Sequence, residues 1–496
     1  MAQQDDVIVY GNWKRPTSPG ILGLGLIGTG ILFAHLLLSV AFAMMNLIYA
    51  ILWFIIGGLT IYVIVRKDKH NMSILYRFLI KFNYSRMKSA KRGIYRSGPL
   101  SHINEGHFRL PGIAANTTLM SYYDPQGREI GVLCHGNTHI SLVMASEPEG
   151  SALVDQDQIN SQVGRYGNFL NSLNNEPGLS SVSITVETEP ENGLKLVEEI
   201  QGHLATHAPA FALETAEEIG NTYSAGSSAT KVYTAFTYSF RDLNAKDQGI
   251  SEVLLEIISR MPPMCSALEA SGAGVPAPMS SAQIYKTIRT AFDPASRDLF
   301  DSANTNHAAP VVDWKNVGPT IAVNEWNKYV HDSGVSVSYI MSQAPRGVVT
   351  DSVLSRLMQP HPQLQRKRIT FVYKPVSYEQ SATMVEADVT NAAFTANSQK
   401  RASARQTIAV QKAAQAASEE ARGASLIKFG MLATITLDSS DDITKADAVL
   451  NNLSANAHIV LRKATGTQDS AFVAGLPLGL SLDTFYSPFD SIKEML

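Results

Sequence analysis

The sequence predicts an α+β protein: an N-terminal two-helix transmembrane hairpin, then two cytosolic α/β sandwich modules, the second carrying a long helical hairpin insertion. Three observations predict it. Residues 21–65 contain no Lys, Arg, Asp, Glu or Pro. Beyond residue 97, stretches alternating apolar and polar residues, as half-buried strands do, interleave with stretches whose apolar residues recur at helical spacing. Residues 376–422 hold neither Pro nor Gly and are rich in Ala, which suits a long helix or a helical hairpin.

One membrane span takes about 20 apolar residues, so 21–65 fits two, placed near 21–41 and 46–65 with a tight turn around "AFAMMN". The apolar core of a signal peptide, about 7–15 residues, is too short to account for it. Gly23, Gly25, Gly28, Gly30, Gly57 and Gly58 are the candidate positions for close helix packing. Gly23–Gly30 also spells G-x-G-x-x-G, but a dinucleotide loop needs a strand before it and a helix after it, and lipid provides no such βαβ setting. His35, the titratable group of the first span, reads as a neutral side chain facing a partner helix.

A basic collar follows. Arg66, Lys67, Lys69, Arg77, Lys81, Arg86, Lys88, Lys91, Arg92 and Arg96 stand against one acid, Asp68, while the chain beyond is net acidic. With Lys14 and Arg15 ahead of the first span, the positive-inside rule places both termini in the cytoplasm. Such cations each contribute on the order of 1 kcal/mol at an anionic lipid surface, the favoured reading of the collar. An acidic protein partner comes second. No nucleic-acid module accompanies the collar and the acidic body repels phosphate, so sequence-specific nucleic-acid binding is not expected.

The remaining chain divides into residues 1–20 as a cytosolic tail, 66–96 as the juxtamembrane segment, 97–245 as a first module, 246–335 as a helical or irregular connection, and 336–496 as a second module. In the first, "REIGVLCHGNTHISLVMASE" reads as two strands about a turn at Gly136-Asn137. A helix with Ile159, Val163, Tyr166, Leu170 and Leu173 on one face follows, then the strand "SSVSITVET", a helix near 208–223 and the strand "KVYTAFTYSF". That order suggests a sheet with helices on one face. A helix at 281–292 is expected within the connection. The second module supplies the strand "GVSVSYIM", a helix near 350–358, the strand "KRITFVYKPV", the insertion at 376–422, the strand "LIKFGMLATITL", a helix at 444–457 and the strand "HIVLRK". It closes on "AFVAGLPLG", an apolar strand running into a turn. The two modules share a strand–helix–strand rhythm, with no repeat evident in the residues themselves.

Catalytic signatures are missing. No G-x-x-x-x-G-K-[ST], H-E-x-x-H, C-x-x-C or G-x-S-x-G occurs. Cys134, His135 and His139 lack a second ligand cluster, and His203 and His207 lack a third ligand, so neither set reads as a metal site. Asp155 and Asp157 form the D-x-D of many glycosyltransferases, the enzymatic alternative. Asp155 with Gln158 is equally a capping box at a helix start, and that reading is preferred. Neither cofactor nor metal is expected.

Four blocks in order, "YGNWKRPTSPGILGLGLIGT", "YRSGPLSHINEGHFRLPGI", "ALVDQDQINSQVGRYGNFLNSLNNEPGLSSVSITVET" and "DSAFVAGLPLGL", resemble a family of membrane proteins from actinobacterial conjugation and type IV secretion-like loci. In this resemblance the N-terminal part is similar to the PrgI-like two-span inner-membrane subunits. The cytosolic part is similar to the non-ATPase N-terminal region of type IV secretion assembly ATPases. It implies an inner-membrane, non-enzymatic scaffold that docks a separate hexameric ATPase beside other membrane subunits, as an oligomer within a larger machine. A more distant similarity, to the EccE membrane component of type VII secretion, is the other alternative. In the family a Trp-containing stretch marks the second module; "YIMSQAPRG" keeps Tyr339, Pro345 and Arg346 without a Trp. These three, with Leu476 and Pro477 of the closing turn, are the residues the resemblance sets toward a partner. In the ATPases that turn precedes the P-loop domain. Here seventeen residues follow Gly479, so the motor is expected on another polypeptide.

Overall fold

The computed structural model describes residues 10–11, 13, 25–70, 72–101, 108–148, 150, 154–190, 200, 202–205, 207–224, 228–243, 249–305, 313–345, 348–364, 366–397, 404–438 and 443–482. A short strand β1 (Tyr10–Gly11) precedes two apolar helices, α1 (Gly25–Met45) and α2 (Leu47–Val65). Only Asn46 separates them; its extended backbone breaks α1, and its side chain accepts from the Ile48 N–H to start α2. The helix α3 (Ile74–Ser89) then carries the chain to an antiparallel sheet.

In chain order there follow β2 (Ile94–Arg96), which pairs with residues 321–323 at the far edge, and then the first half of the sheet: β3 (Thr117–Tyr123), β4 (Glu129–His135), β5 (His139–Ser146), helix α4 (Gln156–Ser172), β6 (Leu179–Pro190), α5 (Ala210–Ser224), β7 (Ser228–Ser239), α6 (Ile250–Leu268), β8 (Ala277–Pro278), α7 (Ser281–Phe292) and α8 (Ser296–Thr305). The second is β9 (Ile321–Asn324), β10 (Tyr329–His331), β11 (Gly334–Gln343), β12 (Val348–Val349), α9 (Ser355–Met358), β13 (Arg366–Pro375), α10 (Tyr378–Asn397), α11 (Ala404–Ala421), β14 (Ile427–Asp438), α12 (Ile443–Asn456), β15 (Val460–Lys463) and α13 (Gln468–Ala474). The elements are thus mixed helix and antiparallel sheet, and the 376–422 insertion is a helical hairpin in which α10 and α11 pack on each other.

The two modules are one continuous sheet of 13 strands. Its order is β2-β9-β10-β11-β14-β13-β6-β7-β5-β4-β3, with β15 on β11 and β8 on β5. The second module begins at Ile321, inside the segment expected to be irregular connection, because β9 and β10 complete a meander with β11.

The halves repeat one topology. Each runs a three-stranded meander, a helix, an outer strand, a helical crossover, a strand inserted between the first three and the outer one, another helix, a short strand and a final helix. Registers match residue for residue: Ser141 pairs Thr237 as Ser336 pairs Thr436, Thr185 pairs Tyr233 as Thr370 pairs Leu432, and Met144 pairs Pro278 as Tyr339 pairs Lys463. The equivalent strands β6 and β13 pair antiparallel with Thr185 opposite Thr370. The repeats are therefore related by an approximate two-fold axis normal to the sheet at that pair.

Strand alternation sends neighbouring side chains to opposite faces, and both faces are covered rather than one. Phe236 and Tyr238 pack with α4 and α6, and their counterparts Ile435 and Leu437 with α9 and α12. On the other face Ala235 and Leu133 pack with α7 and α13. Sequence reasoning expected a strand at "AFVAG"; it is the helix α13, whose Phe472 and Val473 are buried on that second face. Asp155 is the N-cap of α4 but makes no side-chain capping bond; the capping box that does form joins Ser280 and Gln283 at the start of α7.

Candidate membrane-proximal and docking site

Two apolar helices near the N-terminus differ in length. Gly28–Met45 of α1 is long and apolar enough to cross a membrane, whereas the apolar stretch Leu47–Val63 of α2 is shorter. They face each other through His35, whose Nε2 lies 3.1 Å from the Thr60 hydroxyl and whose ring lies 5.2 Å from that of Trp53. A Cβ on Gly57 would meet the His35 ring at 3.2 Å, so glycine lets the helices approach there. Gly28 is buried; Gly30 and Gly58 have open space beside them; Gly25 lies in the first turn of α1, and Gly23 lies outside the described residues. The large apolar side chains Leu37, Met44, Leu47, Ile48 and Phe54 are exposed along the pair.

All ten collar cations are exposed, and α3 carries four of them. Its inner side is fixed to the sheet: Tyr84 lies edge-on to Trp326 at 5.0 Å, Ile80 packs at Gly466, and Met87 at Gly93. Residues 80, 84 and 87 share one helical face, which leaves Phe78 and Phe82 on the opposite one, 63% and 55% exposed and stacked on each other. Arg77, Lys81 and Lys88 flank these rings on one side and Arg86 on the other. Exposed aromatics between cations are the pattern of a helix lying at a lipid interface.

The residues set toward a partner by resemblance are placed otherwise. Tyr339 is buried in β11; its hydroxyl donates to Asp447 and Lys463 lies over its ring at 5.6 Å. Leu476 and Pro477 are buried too, because the turn after α13 runs across the sheet face rather than out to solvent. Gly479, at φ +66°, rests on Ser141 and Thr237, where a Cβ would come within 2.5 Å of the Ser141 Oγ. None of these three presents a surface. Pro345 is half-buried, and Arg346 lies outside the described residues.

What the sequence reading missed is a duplicated polar row. His135 Nε2 lies 2.9 Å from Ser141 Oγ, which lies 2.9 Å from Thr237 Oγ1. At the equivalent positions His331 Nε2 lies 2.7 Å from Ser336 Oγ, itself 2.7 Å from Thr436 Oγ1. The His331 Nδ1–H donates to the Phe292 carbonyl at 2.6 Å, so its Nε2 accepts from Ser336. Burial holds both imidazoles neutral, pushed down to about 4. Each repeat's last segment serves the other's row: Phe292 bonds His331, while the Gly479 carbonyl accepts from Ser141 at 3.0 Å and from Thr237 at 2.6 Å. The one in-register likeness in the sequence is "ITVETEP" with "ITFVYKP", which aligns Thr185 with Thr370 on the neighbouring strands and contains no member of the rows.

Asp155 and Asp157 are exposed at the start of α4. Among the described residues no group of three or more His, Cys, Asp or Glu side chains is placed to hold a metal ion. The hairpin α10–α11 is buried at its base, at Ser381, Val385 and Ala413, and exposes Phe394 and Ile408 (73% and 51%) toward its tip.

Residues 17–75, the apolar helices and the collar up to the start of α3, match the family profile of a domain of unknown function (DUF8461). No curated protein matches the chain.

Proposed function

We propose that the protein is a non-enzymatic scaffold of a bacterial inner membrane, held by two spans with both termini cytoplasmic, which docks a separate assembly ATPase in a conjugative or type IV secretion-like machine. The observation that carries the anchor is the pairing of β1 with β12, Tyr10 opposite Val349 and Gly11 opposite Val348. Residues before α1 thus bond to the body that follows α2. A chain that enters the bilayer through α1 must return through α2 for that pairing to form. The α2 stretch is short for a span, and the exposed cations and rings of α3 at its end suit an interface just beyond it. The docking half rests on the hairpin α10–α11, which projects apolar side chains from a rigid sheet, and on the family resemblance.

In intact cells a thiol at Asn46→Cys is expected to react with a membrane-impermeant maleimide, and one at Ser89→Cys only after lysis. Both positions are exposed; of the two native cysteines Cys134 is buried, and the half-buried Cys265 is replaced by serine for the assay. Labelling of Ser89→Cys in intact cells overturns the topology. Extracted in detergent, the protein is expected to co-elute with the assembly ATPase of its own secretion locus.

A further inference from the structure

One buried guanidinium has no counterpart. Arg368 of β13 is 5% exposed; one terminal nitrogen pairs with Glu187 at 2.6 Å, while Nε and Nη1 have no partner. Across a small void the Thr290 hydroxyl of α7, also buried, is without a partner as well. Guanidinium nitrogens only donate, so what this point lacks is an acceptor. The void has room for about one oxygen-sized atom, at roughly 10 Å³, and shares Glu187, Thr290 and Ala291 as walls with a much larger cleft of about 560 Å³. A volume of that size falls within the range of small-molecule sites, roughly 300–1,000 Å³. The cleft lies between α7 and the ends of β5, β6 and β7, with Tyr233 and Met279 as its apolar walls. Lys231 and Arg297 also line it and bond Glu189, at 2.6 and 3.3 Å.

The second repeat supplies an internal control. Where the first has Ala145, Glu187, Tyr233 and Met279, the second has Ile340, Val372, Leu432 and Ala464, which close with Ala471 into an apolar cluster. The same architecture is therefore built without charge at this place. Burying an ion pair with donors left unsatisfied is costly, and a packed apolar replacement is often neutral or stabilising, so stability does not call for the charged version.

We infer that the cleft of the first repeat binds a small molecule bearing a phosphate or carboxylate group, whose oxyanion reaches Arg368 and Thr290 while its body lies against Tyr233 and Met279. One oxygen of either group would accept a charge-assisted hydrogen bond from the guanidinium, stronger than a neutral one. The site is independent of the scaffold reading.

The test is calorimetric titration of the full-length protein in detergent with pyrophosphate, ATP without metal, and citrate, each against potassium chloride at matched ionic strength. Saturable binding of at least one probe is expected. Pyrophosphate or ATP binding without citrate assigns a phosphate ligand, and the reverse a carboxylate. The exchange Glu187→Val with Arg368→Met, which gives the cleft the apolar character of the second repeat, is expected to leave the melting temperature unchanged or raised and to weaken binding about tenfold or more. Should that exchange fail to fold, Thr290→Val, nearly isosteric, is expected to weaken binding about fivefold through one lost hydrogen bond. Absence of saturable binding by all three probes, a single water then satisfying the donors, overturns the inference. So does binding that neither variant weakens.

Discussion

Phe472→Ala is expected to destabilise the cytosolic body by about 3–5 kcal/mol, the usual cost of emptying a fully buried phenylalanine site. Phe472 has no exposed surface, and its ring lies 5.2 Å from that of Phe292, 5.3 Å from Tyr329 and 4.8 Å from His331. It comes from a helix of seven residues, too short to hold itself in water. The same ring joins the final segment of the second repeat to the end of α7 in the first, so its loss loosens both crossings of the local axis. Set against a typical total of about 5–15 kcal/mol, the effect removes about a fifth or more of the stability. Urea denaturation followed by tyrosine and tryptophan fluorescence measures it; a loss under about 1 kcal/mol contradicts the packing described. Phe472→Leu, which keeps most of the volume, is expected to cost far less.

The second large effect is acid sensitivity. His135 and His331 are held neutral by burial first of all; His139 near the one and Arg368 near the other push the same way, while the Leu478 and Phe292 backbones and Asp293 oppose. Their folded values of about 4 lie below the ordinary 6.5, so between those pH values the unfolded chain binds protons that the folded one excludes. Stability is therefore full above pH 6.5 and drains as pH falls toward 4, at up to about 1.4 kcal/mol per pH unit for each histidine. Protonation of His331 also turns its Nε2 from acceptor to donor against Ser336 and disturbs the row to Thr436. Glu176, Asp332 and Asp469, whose carboxyls burial pushes up, act with the opposite sign. The informative quantity is hence the difference between the wild type and the His135→Gln/His331→Gln variant. Melting temperature from pH 7.5 to 4.5 is expected to fall more steeply in the wild type. Parallel profiles contradict the assignment.

Strands and helices with strong periodicity were readable because each satisfies its own pattern. "KVYTAFTYSF" alternates between two cores, Ala235 on one and Phe236 on the other, and 281–292 is delimited by the Ser280 capping box. "AFVAG" misled because five apolar residues fit a strand or a buried helix turn equally well, and only packing decides. The continuous sheet was not legible, since the β6–β13 pairing joins residues about 180 positions apart through alternating faces that look alike anywhere. The duplicated His–Ser–Thr rows were hidden for a related reason: their members sit on three strands, and only the registers align them. Tyr339, Leu476 and Pro477 were set toward a partner by resemblance, which carries no information about burial.

The most direct measurement of the scaffold account is equilibrium binding of the assembly ATPase from the same secretion locus to the detergent-solubilised protein, wild type against Phe394→Asp. Phe394 is 73% exposed near the tip of α10–α11, so the substitution leaves the core intact. The account predicts saturable capture by the wild type, weakened by the variant by about 2 kcal/mol or more, roughly thirtyfold, as for a central apolar anchor of an interface. Failure of the ATPase to bind the wild type, or equal capture by both proteins, would contradict it.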